Sequence, residues 1–91
     1  MSMEGVEVHP RVNQRHPEVT DADVLAAWAN AIAFVRRETD EKDFYVAVGS
    51  DSKGRLIEVV ASRETDGQLL VFHAMTPPTR KTLTELGLVR R

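Results

Sequence analysis

His73 stands in the middle of an otherwise apolar run, Leu69-Leu70-Val71-Phe72-His73-Ala74-Met75. An imidazole there can exchange protons near neutral pH, so the first question is which groups reach it. Glu58 and Ser62 lie on the preceding apolar run, Leu56–Ser62, and Arg80 and Lys81 follow the histidine run closely. Tyr45 on the run before and Arg63 at the end of the Glu58 run complete the set. A carboxylate to orient the imidazole and cations able to meet an anion leave a metal-free acid/base site as the chemistry on offer. Each residue also has a plainer reading: a hydrogen-bonded structural histidine, a rim charge at Arg63, and a solvated helix face at Arg80 and Lys81. Arg15 and His16 close a short helical segment, where they either complement the helix dipole or meet an anion. No metal and no cofactor is expected, because His9, His16 and His73 have no ligand-spaced partner and the chain has no cysteine. Ser50, Ser52 and Ser62 lack a nucleophile-elbow context, and Gly49, Gly54 and Gly67 belong to hairpins rather than to a phosphate loop.

The elements that must position these groups follow from periodicity. Val6-Glu7-Val8 reads as a short strand and His9 to His16 as a short helix stopped by Pro17. Thr20-Asp21-Ala22-Asp23 has the form of a capping box, and Val24, Trp28, Ala31, Ile32 and Val35 recur at helical spacing, which predicts a helix over Asp21–Phe34. Arg36–Lys42 reads as a solvated connector. From Asp43 to Met75 the pattern is a three-stranded antiparallel meander, with turns at Asp51-Ser52-Lys53-Gly54 and Thr65-Asp66-Gly67-Gln68. A two-residue turn at Asp66-Gly67 pairs Ser62 with Val71 and Val60 with His73; a first turn centred on Ser52 and Lys53 places Tyr45 across from Ser62. Alternation then gives an apolar face of Phe44, Val46, Val48, Ile57, Val59, Ala61, Leu70, Phe72 and Ala74, and a second face carrying Tyr45, Glu58, Ser62 and His73. A bulge at Gly54 would shift the pairing by one and turn the first strand over. Thr76-Pro77-Pro78 opens a short last helix that Gly87 ends, with Thr76 as its cap. Val24, Trp28 and Ile32 are expected to pack on Val46, Val59 and Phe72.

The expected fold is therefore α+β: two N-terminal helices, the meander with Val6–Val8 as an added strand at the edge of its first strand, and a short C-terminal helix. Its 91 residues suffice for a single domain, ordered over about 6–88. The formal charge of −2 argues against a generally basic nucleic-acid binder, although Arg80, Lys81, Arg90 and Arg91 against Glu85 make a basic end. Absence of cysteine points to a reducing, cytoplasmic compartment, and no run approaches the ~20 apolar residues of a membrane helix. The start, Met1-Ser2-Met3-Glu4-Gly5, reads as disordered and lacks the order of a signal peptide.

Arg15-His16, Thr20-Asp21-Ala22-Asp23-Val24, Tyr45-Val46-Ala47-Val48-Gly49, Gly54-Arg55-Leu56-Ile57 and Val71-Phe72-His73-Ala74 together resemble the BrnT-type toxins of the RelE/ParE-like superfamily, over about residues 14–86. The resemblance implies a metal-independent endoribonuclease acting on messenger RNA and held inactive by an antitoxin encoded beside it. It carries Arg15 and His16 onto the family's basic-His pair and Arg55 onto its hairpin arginine, as RNA-binding residues with Arg80 and Lys81. His73 would be the base or acid, Glu58 its partner, and Arg63, Arg80 or Lys81 the phosphate clamp. The family's last strand often continues Ser-Ala-Arg where this chain has His73-Ala74-Met75, and the family is usually basic. Those departures leave open a non-catalytic interaction module, or another enzyme that uses His73. An unpaired strand edge would take the antitoxin or a second copy as a homodimer.

Overall fold

The computed structural model describes residues 5–89. Met1–Glu4, whose reading as a disordered start therefore goes with them, and Arg90 and Arg91 of the basic end lie outside the described residues. The elements are β1 (Val6–Val8), α1 (Arg11–Arg15), α2 (Asp21–Ala29), β2 (Ala31–Glu38), β3 (Asp43–Ser50), β4 (Leu56–Arg63), β5 (Leu69–Met75) and α3 (Arg80–Glu85). They form one mixed five-stranded sheet in the order β1-β5-β4-β3-β2, with β1 parallel to β5 and the rest antiparallel. None of the helices described is long and apolar enough to cross a membrane.

The expected layout of two N-terminal helices and a three-stranded meander is corrected first in its elements. The capping box starts α2 as expected: the Thr20 hydroxyl accepts from Asp23 N–H and the Asp23 carboxylate from Thr20 N–H. The helix then stops at Ala29, because Asn30 caps it and Ala31–Glu38 is a strand. Ile32, Phe34 and Val35 are β-branched or aromatic, and pairing with β3 decides between two periodicities that both fit. The supposed connector is accordingly half strand and half turn. Val6–Val8 covers the β5 edge, not the edge of the first meander strand.

The second correction concerns which side chains share a face. Both inner hairpins use a type I turn followed by a glycine bulge: Gly54 N–H donates to the Asp51 carbonyl and Gly67 N–H to the Glu64 carbonyl, with φ of 80° and 86° at the glycines. The first turn therefore pairs Tyr45 with Ala61 rather than Ser62, and β3 turns over relative to β4. In the second hairpin Ser62 pairs with Leu70 rather than Val71, but an irregularity at Phe72 restores Val60 opposite His73.

One face thus carries Ala47, Ile57, Val59, Ala61, Val71 and Ala74, which form the buried core with Val12, Val19, Val24, Ala27 and Trp28. Val24 and Trp28 pack there as expected. Ile32 does not, being 63% exposed on β2, while Val46 and Phe72 lie on the opposite face. Gly49 lets α2 approach β3: a Cβ at that position would overlap the Ala27 carbonyl. On the second face, the C-terminal segment is fastened to Glu58 on β4 by Thr79 and to Arg37 on β2 by Glu85, a diagonal that crosses the buried Val46 on β3. Thr79, not Thr76, caps α3; the Thr76 hydroxyl instead donates to the Leu56 carbonyl.

Candidate functional site

The part of the second face that α3 leaves uncovered is an open cleft of about 530 Å³, lined by Arg11, Arg15, Arg37, Phe44, Val60, Phe72 and His73. Its floor is aromatic, because the Phe44 and Phe72 rings meet edge to face at 6.0 Å. Both phenylalanines are only partly buried, which is what a surface kept free of the core would show.

His73 is held from below by Glu58, with Nε2 at 2.7 Å from Oε2. The other oxygen of Glu58 accepts from the Thr79 N–H at 2.7 Å and from the Thr79 hydroxyl at 2.9 Å. Burial is the largest single influence on this carboxyl and opposes its ionisation. The Thr79 N–H, His73, the Thr79 hydroxyl and Thr82 together outweigh burial and hold the carboxyl below its ordinary range. A buried anion thus fixes the ring orientation of a histidine whose side chain is 32% exposed, and leaves Nδ1 as the nitrogen it does not engage. His16, at the end of α1, brings a second imidazole edge-on to His73 at 6.2 Å between centroids.

Charge is arranged unevenly around this pair. Arg37 is neutralised by a two-pronged contact to Glu85, which also keeps the guanidinium strongly protonated. Arg11 and Arg15 are exposed and have no ion-pair partner among the described residues. They provide uncompensated positive charge beside the histidines.

The residues singled out from sequence fall into four groups. His73, Glu58, Arg15 and His16 come together here. Tyr45 and Arg63 lie on the helix-bearing side of the sheet, where the guanidinium donates to the phenol oxygen at 3.0 Å and sits over the ring. The turn at Gly54 moved Tyr45 there, so neither can serve His73. Arg55 is consumed structurally: its guanidinium donates to Asp51 at 2.8 Å, to Asp23 at 3.0 Å and to the Glu18 carbonyl at 3.0 Å. This knot ties the β3–β4 turn to the start of α2. Backbone donation from Thr20 holds Asp23 low despite burial, and at Asp51 the donors from Arg55 and Lys53 outweigh a larger effect of burial. Arg80 and Lys81 line a separate shallow depression with Thr84 and Glu85 on the outside of α3.

Arg11, Arg37, Phe44 and Phe72 were not singled out from sequence. Phe44 and Phe72 had been assigned to the core, and only the bulge alternative at Gly54 would have turned Phe44 outward. No local feature marks Arg11. In comparison with known proteins, no family model matches the chain, and no curated protein or solved structure gives a significant match.

Proposed function

We propose that the open cleft binds RNA and cleaves it without a metal, and that the chain is the toxin of a toxin–antitoxin pair. The observation that carries this reading is the Glu58-oriented His73 with His16 edge-on to it, at a cleft that has an aromatic floor and two arginines with no ion-pair partner among the described residues. Base-on-aromatic stacking with flanking cations is the general chemistry of single-stranded RNA recognition. In the reaction, His73 takes the proton of the ribose 2′-hydroxyl, whose oxygen attacks the adjacent phosphorus. The bond to the 5′-oxygen breaks, and that oxygen receives a proton from His16. A 2′,3′-cyclic phosphate and a free 5′-hydroxyl result. Arg15 and Arg11 balance the charge on the phosphorane, and Glu58 stabilises the imidazolium that forms at His73.

The experiment compares the parent chain with His73→Ala for growth arrest on induction and for RNA cleavage with and without a chelator. The proposal expects arrest and chelator-resistant cleavage by the parent, and neither by the variant. A parent chain that does neither removes the enzyme from consideration.

One further observation favours protein recognition as well. β2 is an outer strand of the sheet and exposes Phe34 at 57% and Ile32 at 63%. Unpaired strand edges with apolar side chains accept an added strand. We assign this edge to the antitoxin, with a homodimer of the isolated chain expected in its absence. If the chain stays monomeric at high concentration and forms no complex with the product of the neighbouring reading frame, this assignment is wrong. If it forms such a complex but never cuts RNA, the non-catalytic interaction module replaces the enzyme.

A further inference from the structure

The aromatic floor does not end at His73. A second cleft, of about 280 Å³, shares Arg11, Phe44 and Phe72 with the first and adds Lys42 and Glu64 on its far side. The two clefts are therefore neighbouring compartments separated by one pair of rings, with Arg11 common to both. That is the arrangement needed to hold one nucleotide while its neighbour is cut.

Glu64 gives the second compartment a chemical preference. Its Oε2 accepts from the Ser62 hydroxyl at 2.7 Å and from the Lys42 ammonium at 3.1 Å, which fixes the carboxylate in place. Its Oε1 has no hydrogen-bond partner among the described residues. The same two donors hold the carboxyl below its ordinary range, so it is an acceptor at neutral pH. A carboxylate beside a stacking ring tests the base edge presented to it. Guanine offers adjacent N1–H and N2–H donors. Cytosine and adenine each place a ring acceptor next to their amino group, and uracil flanks its single N–H with two carbonyl oxygens. Only guanine presents two adjacent N–H donors to the free Oε1, where cytosine, adenine and uracil present one at a time, and the Lys42 ammonium is then available to its O6.

We propose that this compartment is a guanine-selective subsite, with Glu64 as its reading residue and the Phe44–Phe72 pair as its stacking surface. The proposal rests on the reading of the first cleft as an RNA site. It makes the chain a ribonuclease that chooses its cut by a neighbouring guanosine.

The test uses fluorescently labelled short uridine oligonucleotides carrying one central guanosine, adenosine, cytidine or inosine, with 2′-fluoro sugars so that no hydroxyl is present to attack. Affinities are measured at one low ionic strength, because phosphate contacts depend steeply on salt. The guanosine probe is expected to bind roughly tenfold more tightly than the adenosine, cytidine and all-uridine probes, as an extra hydrogen bond to a charged acceptor provides. Inosine, which lacks the N2 amine, should fall between, and this comparison does not depend on any variant folding. Glu64→Gln, confirmed to melt at the parent temperature, should bring all probes to similar affinity. Equal affinity for every base in the parent, or a guanosine preference that survives Glu64→Gln, overturns the subsite while leaving the RNA site standing. Failure of the parent to bind any of the probes overturns both.

Discussion

The two faces of the sheet are built from the same four antiparallel strands but treat polar groups in opposite ways. On the face covered by α2, the side chains beneath the helix form the buried core, and the Arg55 guanidinium at the rim spends its donors on Asp51, Asp23 and a carbonyl. On the other face Glu58, Arg37 and the Lys42–Glu64 pair have partners, while Arg11 and Arg15 have no ion-pair partner among the described residues and line the cleft with partly buried phenylalanines. The difference separates closure from openness: on the first face the charged groups are spent on holding elements together, and on the second two guanidiniums are left without an ion-pair partner among the described residues.

The strongest way to break that division is at Gly49. Gly49→Ala places a methyl group in the Ala27 carbonyl, so α2 must leave β3, and the variant is expected to show no cooperative melting transition. Trp28→Ala comes next. The side chain is 3% exposed within the core, and urea denaturation should show a loss of about 3–5 kcal/mol with RNA-related behaviour intact in the remaining folded fraction. Phe44→Ala and Phe72→Ala should reverse that pattern. Each is expected to cost less stability than Trp28→Ala, and to weaken binding of a short RNA by about 1–3 kcal/mol through lost stacking, read by fluorescence anisotropy. A Phe44→Ala variant as unstable as Trp28→Ala would show that the open face is a second core.

These faces were only partly legible in the sequence. The start of α2 could be read because the Thr20 and Asp23 capping box is local chemistry, carried by two side chains and their own backbone. Its end could not, because Trp28, Ala31, Ile32 and Val35 also fit a helix, and the preference of Ala31–Glu38 for a strand depends on β3, which follows the next turn. The faces turned on a single residue: counting Gly54 as a bulge moves Tyr45 to the core side and Phe44 to the cleft. The Glu58–His73 contact was legible despite this, because both residues lie beyond that turn and the irregularity at Phe72 compensates for the extra residue at Gly67. Arg11 and Arg37 were not, since what brings them together is the path of the chain around both edges of the sheet.

The smallest effect expected is a pH dependence. Because the folded-state carboxyl of Glu58 titrates below its ordinary value of 4.5, its contribution to stability is fully present above that value and is lost as the pH falls through the lowered one. The stability gap between the parent and Glu58→Gln should therefore be widest near neutral pH and narrow progressively below about 4.5. A gap that widens on acidification would mean that Glu58 is not held as an anion.

The division of the faces is tested most directly by NMR titration of the isotope-labelled chain with a short single-stranded RNA. The account predicts shifts at Arg11, Arg15, Phe44, Val60, Phe72 and His73, with Val24, Ala27, Trp28 and Val59 unmoved. Shifts confined to the α2 side, or none on the Phe44–Phe72 face at low ionic strength, would contradict it.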